Sequence, residues 1–182
     1  MRHLPNLLTG VRLLLVVPIA WLVVEGAYQP ALGLFVIAGL SDALDGFLAR
    51  RFGWGSPLGA VLDPLADKAL LVVIYLCLTV GGWIPAWLTT LVLLRDVVIV
   101  LGAACYRLVT GSLEMRPSIF GKLSTLLQLA LVAGVMADAA FGVLPAALHL
   151  VLITVVAVMT AISGVHYVLR WTLVYRSFKA CP

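Results

Sequence analysis

Long apolar stretches alternate with short groups of charged, Gly and Pro residues along the whole chain. Read as helices, the stretches fall at about Leu4 to Val24, Ala31 to Arg50, Ala60 to Val80, Pro85 to Leu108, Ser118 to Ala137 and Leu144 to Leu169. The breaks between them lie at Glu25 to Pro30, Arg51 to Pro57, Gly81 and Gly82 before Pro85, Thr110 to Pro117, and Asp138 to Pro145. Each run is close to the roughly 20 residues that cross a bilayer. The pattern predicts an all-α, polytopic membrane protein with six transmembrane helices, residues 1–182 forming a single domain. No fixed-period repeat and no low-complexity tract interrupts it.

Composition sharpens this. The 182 residues are 63% apolar and 11% charged, against about 25% charged in a soluble domain, which excludes an ordinary water-soluble globule. The net charge of +4 is too small and too scattered for a nucleic-acid face. Its distribution is a topology signal instead. Arg2, Arg50, Arg51, Arg107, Arg116, Lys122, Arg170, Arg176 and Lys179 cluster at one set of alternate helix ends. By the positive-inside rule both termini and the second and fourth loops are cytoplasmic. Arg12 interrupts the first apolar run and no small-residue cleavage pattern follows Val24, so that run reads as a span and not as a signal peptide. Cys77, Cys105 and Cys181 have no framework spacing, and no structural disulfide is expected.

Four of the eight acidic residues, Asp42, Asp45, Asp63 and Asp67, crowd between positions 42 and 67. A carboxylate near a helix centre in the bilayer costs roughly 2.5–3.5 kcal/mol on insertion scales, so four together need a compensating partner. Asp42 and Asp45 stand at i, i+3, and Asp63 and Asp67 at i, i+4 on the next helix. Two neighbouring helices thereby aim four carboxylates at one cytoplasmic gap. Hard oxygen ligands suit Mg²⁺ or Mn²⁺, and a pair of such ions suits a phosphate-bearing substrate. Gly46, Ala49 and Gly59 would let a diphosphate approach the backbone, or would simply allow close helix packing. The alternative for the aspartates is a proton relay or an internal salt-bridge network with Arg50, Lys68 and Arg12, as in a small ion-coupled transporter. A transporter would spread charges through the membrane thickness and commonly show an inverted repeat, and this chain does neither.

In order, the residues spell Asp42-x2-Asp45-Gly46-x2-Ala49-Arg50-x8-Gly59-x3-Asp63-x3-Asp67. This resembles, at every position, the signature of the CDP-alcohol phosphatidyltransferases. Pro5-Asn6-Leu7-Leu8-Thr9 with Arg12 and Pro18 is similar to the family's first-helix motif. Leu62 to Lys68, Arg95-Asp96, Arg116-Pro117-Ser118, Gly121 to Thr125 and Gln128 extend the likeness, and Ser163-Gly164 and Tyr167 carry it weakly into the last helix. The resemblance implies transfer of a phosphatidyl group from a CDP-linked lipid to an alcohol with release of CMP. It also implies a two-ion Mg²⁺ or Mn²⁺ site held by Asp42, Asp45 and Asp63, with Asp67 contributing a further ligand or acting as the base that takes the acceptor proton. Base and ligand compete for one carboxylate, because a base needs a free lone pair within reach of the hydroxyl. Asn6, Thr9, Gly46, Ala49, Arg50 and Gly59 would shape the CDP-lipid site.

The acceptor is read from thinner signals. Family members that use glycerol 3-phosphate show Arg-Glu and a second Arg two turns later, where this chain has Arg95-Asp96 and then Ala103 and Ala104. Arg95-Asp96-Val97-Val98 and Arg116-Pro117-Ser118 with Lys122 and Thr125 look more like the mitochondrial-type, CMP-forming cardiolipin synthases. That likeness implies CDP-diacylglycerol and phosphatidylglycerol as substrates, with Arg95, Arg116 and Lys122 as acceptor-phosphate contacts. The alternative is phosphatidylglycerophosphate synthesis. Arg12 and Asp96 are expected to pair across helices, and His3, His149 and His166 to be interfacial or packing residues. Trp21, Trp54, Trp83, Trp87 and Trp171 are expected to form an aromatic belt at helix ends. By resemblance the protein is a homodimer. Without an Arg- and Ser-rich transit segment, a bacterial cytoplasmic membrane is expected, the mitochondrial inner membrane being the alternative.

Overall fold

The computed structural model describes the backbone of residues 4–52, 59–110 and 118–179 and, within these, the side chains of 10–42, 66–104 and 118–172. The described residues form six helices and no strand: α1 (Leu4–Val24), α2 (Tyr28–Phe52), α3 (Gly59–Val80), α4 (Ala86–Thr110), α5 (Ile119–Phe141) and α6 (Ala146–Lys179). The glycine breaks act through their backbones. Gly26 and Gly82 adopt φ of 75° and 77°, which a side chain would disfavour. At the first, Ala27 N–H donates to the Leu22 carbonyl (2.8 Å) and Gly26 N–H to Val23 (3.1 Å); at the second, Trp83 donates to Leu78 (2.9 Å) and Gly82 to Thr79 (3.0 Å). This six-to-one and five-to-two pattern closes α1 and α3 and satisfies their last carbonyls. The start of α5 is capped by Ser118, whose Oγ accepts from Gly121 N–H at 3.0 Å.

Several ends differ from expectation, among them the end of α5, which runs four residues past Ala137 to Phe141. α2 starts at Tyr28, ahead of Pro30, because proline in a first turn forfeits no helical hydrogen bond. α6 continues ten residues past Leu169 to Lys179, since Arg170 and Arg176 end the apolar run without breaking the helix.

Two compact units divide the chain. The first comprises Met1–Ile84 and Val132–Pro145, and in it α1 packs against both α2 and α3. Arg12, Val16, Ile19 and Val23 form the buried stripe of α1, spaced by four, three and four residues. The opposite stripe of α1, Leu14, Val17, Trp21 and Val24, is equally apolar and exposed. Trp83 Nε1 donates to Tyr28 Oη at 2.8 Å, bracing the turn after α3.

The second unit comprises Pro85–Leu131 and Ala146–Pro182, with α4 against α6. Its helices are apolar outside and carry a buried polar seam beside Leu88, Val92, Leu131 and Val156. Ser118, Gly121, Ser124 and Gln128 on α5 and Thr160, Ser163 and Tyr167 on α6 are buried, while Leu123, Leu126, Val158, Ile162, Val165 and Leu169 are exposed. Gln128 Nε2 donates to Thr160 Oγ1 at 3.1 Å, and Ser124 Oγ lies 3.4 Å from the same oxygen. Such bonds average about 0.6 kcal/mol within a bilayer, so this seam sets register between α5 and α6 more than it adds stability. Among the described residues, Ala86–Ala104, Ile119–Phe141 and Ala146–Thr172 are long and apolar enough to cross a membrane, and Gly10–Val24 is a shorter apolar helix.

Candidate active site

In the first unit, the packing of α1 on α2 and α3 brings one arginine between two carboxylates of the acidic motif. Arg12 Nη1 lies 2.8 Å from Asp42 Oδ1 and 2.7 Å from Asp67 Oδ1. Arg12 is 2% exposed, whereas the two aspartate side chains are 46% and 48% exposed. The cation is therefore enclosed and the anions face outward. A single nitrogen shared by two carboxylate oxygens marks where both can meet one cation. Hard, charged oxygen donors around such a position fit Mg²⁺ or Mn²⁺.

Asp45, Gly46, Ala49 and Arg50 fall within helix α2, Gly59 and Asp63 within α3, and Asn6 and Thr9 within α1, but their side chains lie outside the described residues. Arg116 lies outside them altogether. Of the four motif aspartates, the structure thus describes Asp42 and Asp67, and brings those two together. Arg12 holds Asp42 and Asp67 within its own unit. Asp96 Oδ1 accepts from its neighbour Arg95 at 3.0 Å.

In the second unit Arg95 is buried and engaged by each of its three nitrogens. Nε and Nη2 reach Ser163 Oγ at 3.2 and 2.8 Å, Nη2 reaches the Gly121 carbonyl at 3.4 Å, and Nη1 holds Asp96. The guanidinium also stands 5.8 Å from the centre of the Tyr167 ring. The Tyr167 hydroxyl in turn accepts from Ser118 N–H at 3.4 Å. An acceptor phosphate would have to displace these partners to reach Arg95. Lys122, by contrast, is exposed. Ser163 and Tyr167 had no assigned role in the sequence; one signal was available, that both are polar positions on an otherwise apolar helix.

His166 packs as expected, 5.3 Å ring to ring from Phe120. Trp171 stands at the end of the apolar span Ala146–Thr172. Because α6 runs on to Lys179, Trp171 lies within the helix, with its indole against α4, where a Cβ on Gly102 would stand 2.7 Å from the ring.

The sequence profile of the CDP-alcohol phosphatidyltransferases matches residues 2–163. The chain is 34% identical over 180 residues to the CMP-forming cardiolipin synthase of Rattus norvegicus, and 33% identical over 180 to that of Homo sapiens, 90% of this chain being covered in each case. It is 34% identical over 181 residues, 92% of its length, to a probable phosphatidylglycerophosphate synthase of Mycobacterium tuberculosis, of which it covers 81%. The chain spans 60% of the length of the rat and human proteins. It belongs to the CDP-alcohol phosphatidyltransferase family.

Proposed function

We propose that the protein transfers the phosphatidyl group of CDP-diacylglycerol to a hydroxyl of phosphatidylglycerol, releasing CMP and forming cardiolipin. The observation that carries the chemistry is the meeting of Asp42 and Asp67 on one cation position, in a chain of this family. Likeness to the rat and human cardiolipin synthases and Ala103-Ala104 in place of a second arginine support the acceptor.

In this reading Asp42, Asp45, Asp63 and Asp67 hold the metal, and Asn6, Thr9, Gly46, Ala49, Arg50 and Gly59 shape the CDP-lipid site. Mg²⁺ or Mn²⁺, when bound, neutralises the diphosphate and the charge that develops on departing CMP. Asp67 takes the proton of the acceptor hydroxyl as its oxygen bonds to the phosphatidyl phosphorus. The bond from that phosphorus to the CMP oxygen breaks, and CMP leaves with the electron pair. Arg12 orients Asp67 for this by holding Oδ1. Lys122 and Arg116 take the acceptor phosphodiester, and Arg95, four of its five N–H groups engaged within the protein, supports them. The whole chain, 1–182, acts as one membrane domain of six spans with both termini cytoplasmic, as a homodimer in a bacterial cytoplasmic membrane or, alternatively, the mitochondrial inner membrane.

The match to the M. tuberculosis protein over most of its length favours a second reading, in which glycerol 3-phosphate is the acceptor. The deciding experiment offers the purified protein labelled CDP-diacylglycerol and Mg²⁺ or Mn²⁺ with either phosphatidylglycerol or glycerol 3-phosphate, and follows CMP and lipid product. Cardiolipin formed only with phosphatidylglycerol is the expected result. Phosphatidylglycerophosphate would keep the mechanism and overturn the acceptor. CMP with neither would overturn both readings.

A further inference from the structure

We propose that Ser163 and Arg95 are a positioning pair for the acceptor side of the reaction, fixing the first turn of α5 and with it Lys122. The inference rests on the reading of Lys122 as an acceptor contact. A buried arginine among apolar helices is costly and persists where its charge is matched and its donors are used. Asp96 matches the charge of Arg95. Three further N–H groups point across the unit: Ser163 Oγ takes two, and the Gly121 carbonyl one. That carbonyl belongs to the residue directly before Lys122. Gly121 is held from the other side as well, since its N–H is tied to Ser118 Oγ and a Cβ there would come within 2.9 Å of Tyr167 Oη. The only side chain short enough at 121 is thus hydrogen, and the backbone there is seated between α4 and α6 partners. Ser163 carries the arrangement, because without its oxygen two guanidinium N–H groups lose their acceptor and the fork can swing away from Gly121.

The test uses the full chain in detergent with Mg²⁺, and separate Michaelis curves for CDP-diacylglycerol and for whichever acceptor the wild type consumes. Ser163→Ala should raise KM for the acceptor about fivefold to tenfold, the effect of one lost hydrogen bond to a charged group. KM for CDP-diacylglycerol should stay within about twofold, and Ser163→Thr, which keeps the hydroxyl, should stay near wild type. Arg95→Lys should act in the same direction, and the double variant Ser163→Ala/Arg95→Lys should be no worse than Arg95→Lys alone, as for residues acting through one link. Faster amide exchange over residues 119–125 in Ser163→Ala, unchanged in α3, reads the same effect without turnover. Equal shifts in both KM values, additive effects, or unchanged exchange would overturn the pair. The acceptor reading fails separately, through the identity of the wild-type product.

Discussion

Arg12 and Asp67 are 55 residues apart in sequence and 2.7 Å apart at their charged atoms, the arginine enclosed and the aspartate facing outward. In that arrangement the cation keeps two motif carboxylates near one another before any other cation arrives. Removing it leaves Asp42 and Asp67 as close like charges. Arg12→Gln should therefore unfold several degrees below wild type in chelator, a loss of about 1–3 kcal/mol after allowing for the solvent that reaches both aspartates. Added Mg²⁺ should recover more of the midpoint in the variant than in wild type. Equal recovery in a thermal scan would mean that Asp42 and Asp67 do not share an ion.

Asp42→Asn and Asp63→Asn should abolish turnover while leaving a folded, extractable protein. Size-exclusion profiles and CMP release, measured on one preparation, check this. Near-wild-type turnover would remove either residue from the metal set.

Asp67→Asn distinguishes base from ligand. As base, its loss should lower kcat far more than it weakens CDP-diacylglycerol binding. Binding measured on the inactive variant gives the comparison, and equal losses would assign Asp67 to metal ligation.

Gly102→Ala should cost about 1–3 kcal/mol, because the new methyl would meet the Trp171 ring at 2.7 Å on a well-packed helix face. Trp171→Leu introduced alongside should return part of the loss. Unfolding midpoints of the two single variants and the double variant supply the cycle, and additive losses would show that the two positions do not meet.

Helix number and most boundaries were legible because apolar runs end at Gly, Pro and charge, and the Gly26 and Gly82 stops act locally. The end of α6 was not, since charge marks the limit of an apolar run but not of a helix. Spacing placed Asp42 and Asp67 on neighbouring helices, and the structure brings those two together. What Arg12 does with them was not legible, because the spacing of residues along α1 says nothing of how that helix rolls against α2 and α3. Arg95 shows the same limit from the other side. Its sequence neighbourhood resembles a ligand contact, and only the placement of Ser163 and Gly121 around it reveals where its donors are used.

Tyr167 and Trp171 stand one helical turn apart on α6, and each ring rests on a glycine of a different helix, Gly121 of α5 and Gly102 of α4. These two close approaches tie the register of α6 to α5 and to α4 at neighbouring turns. Rotation would drive both rings into side chains, and a shift by one residue would unseat both together. A roll or slide of α6 within this unit would therefore have to carry both rings off their glycines at once.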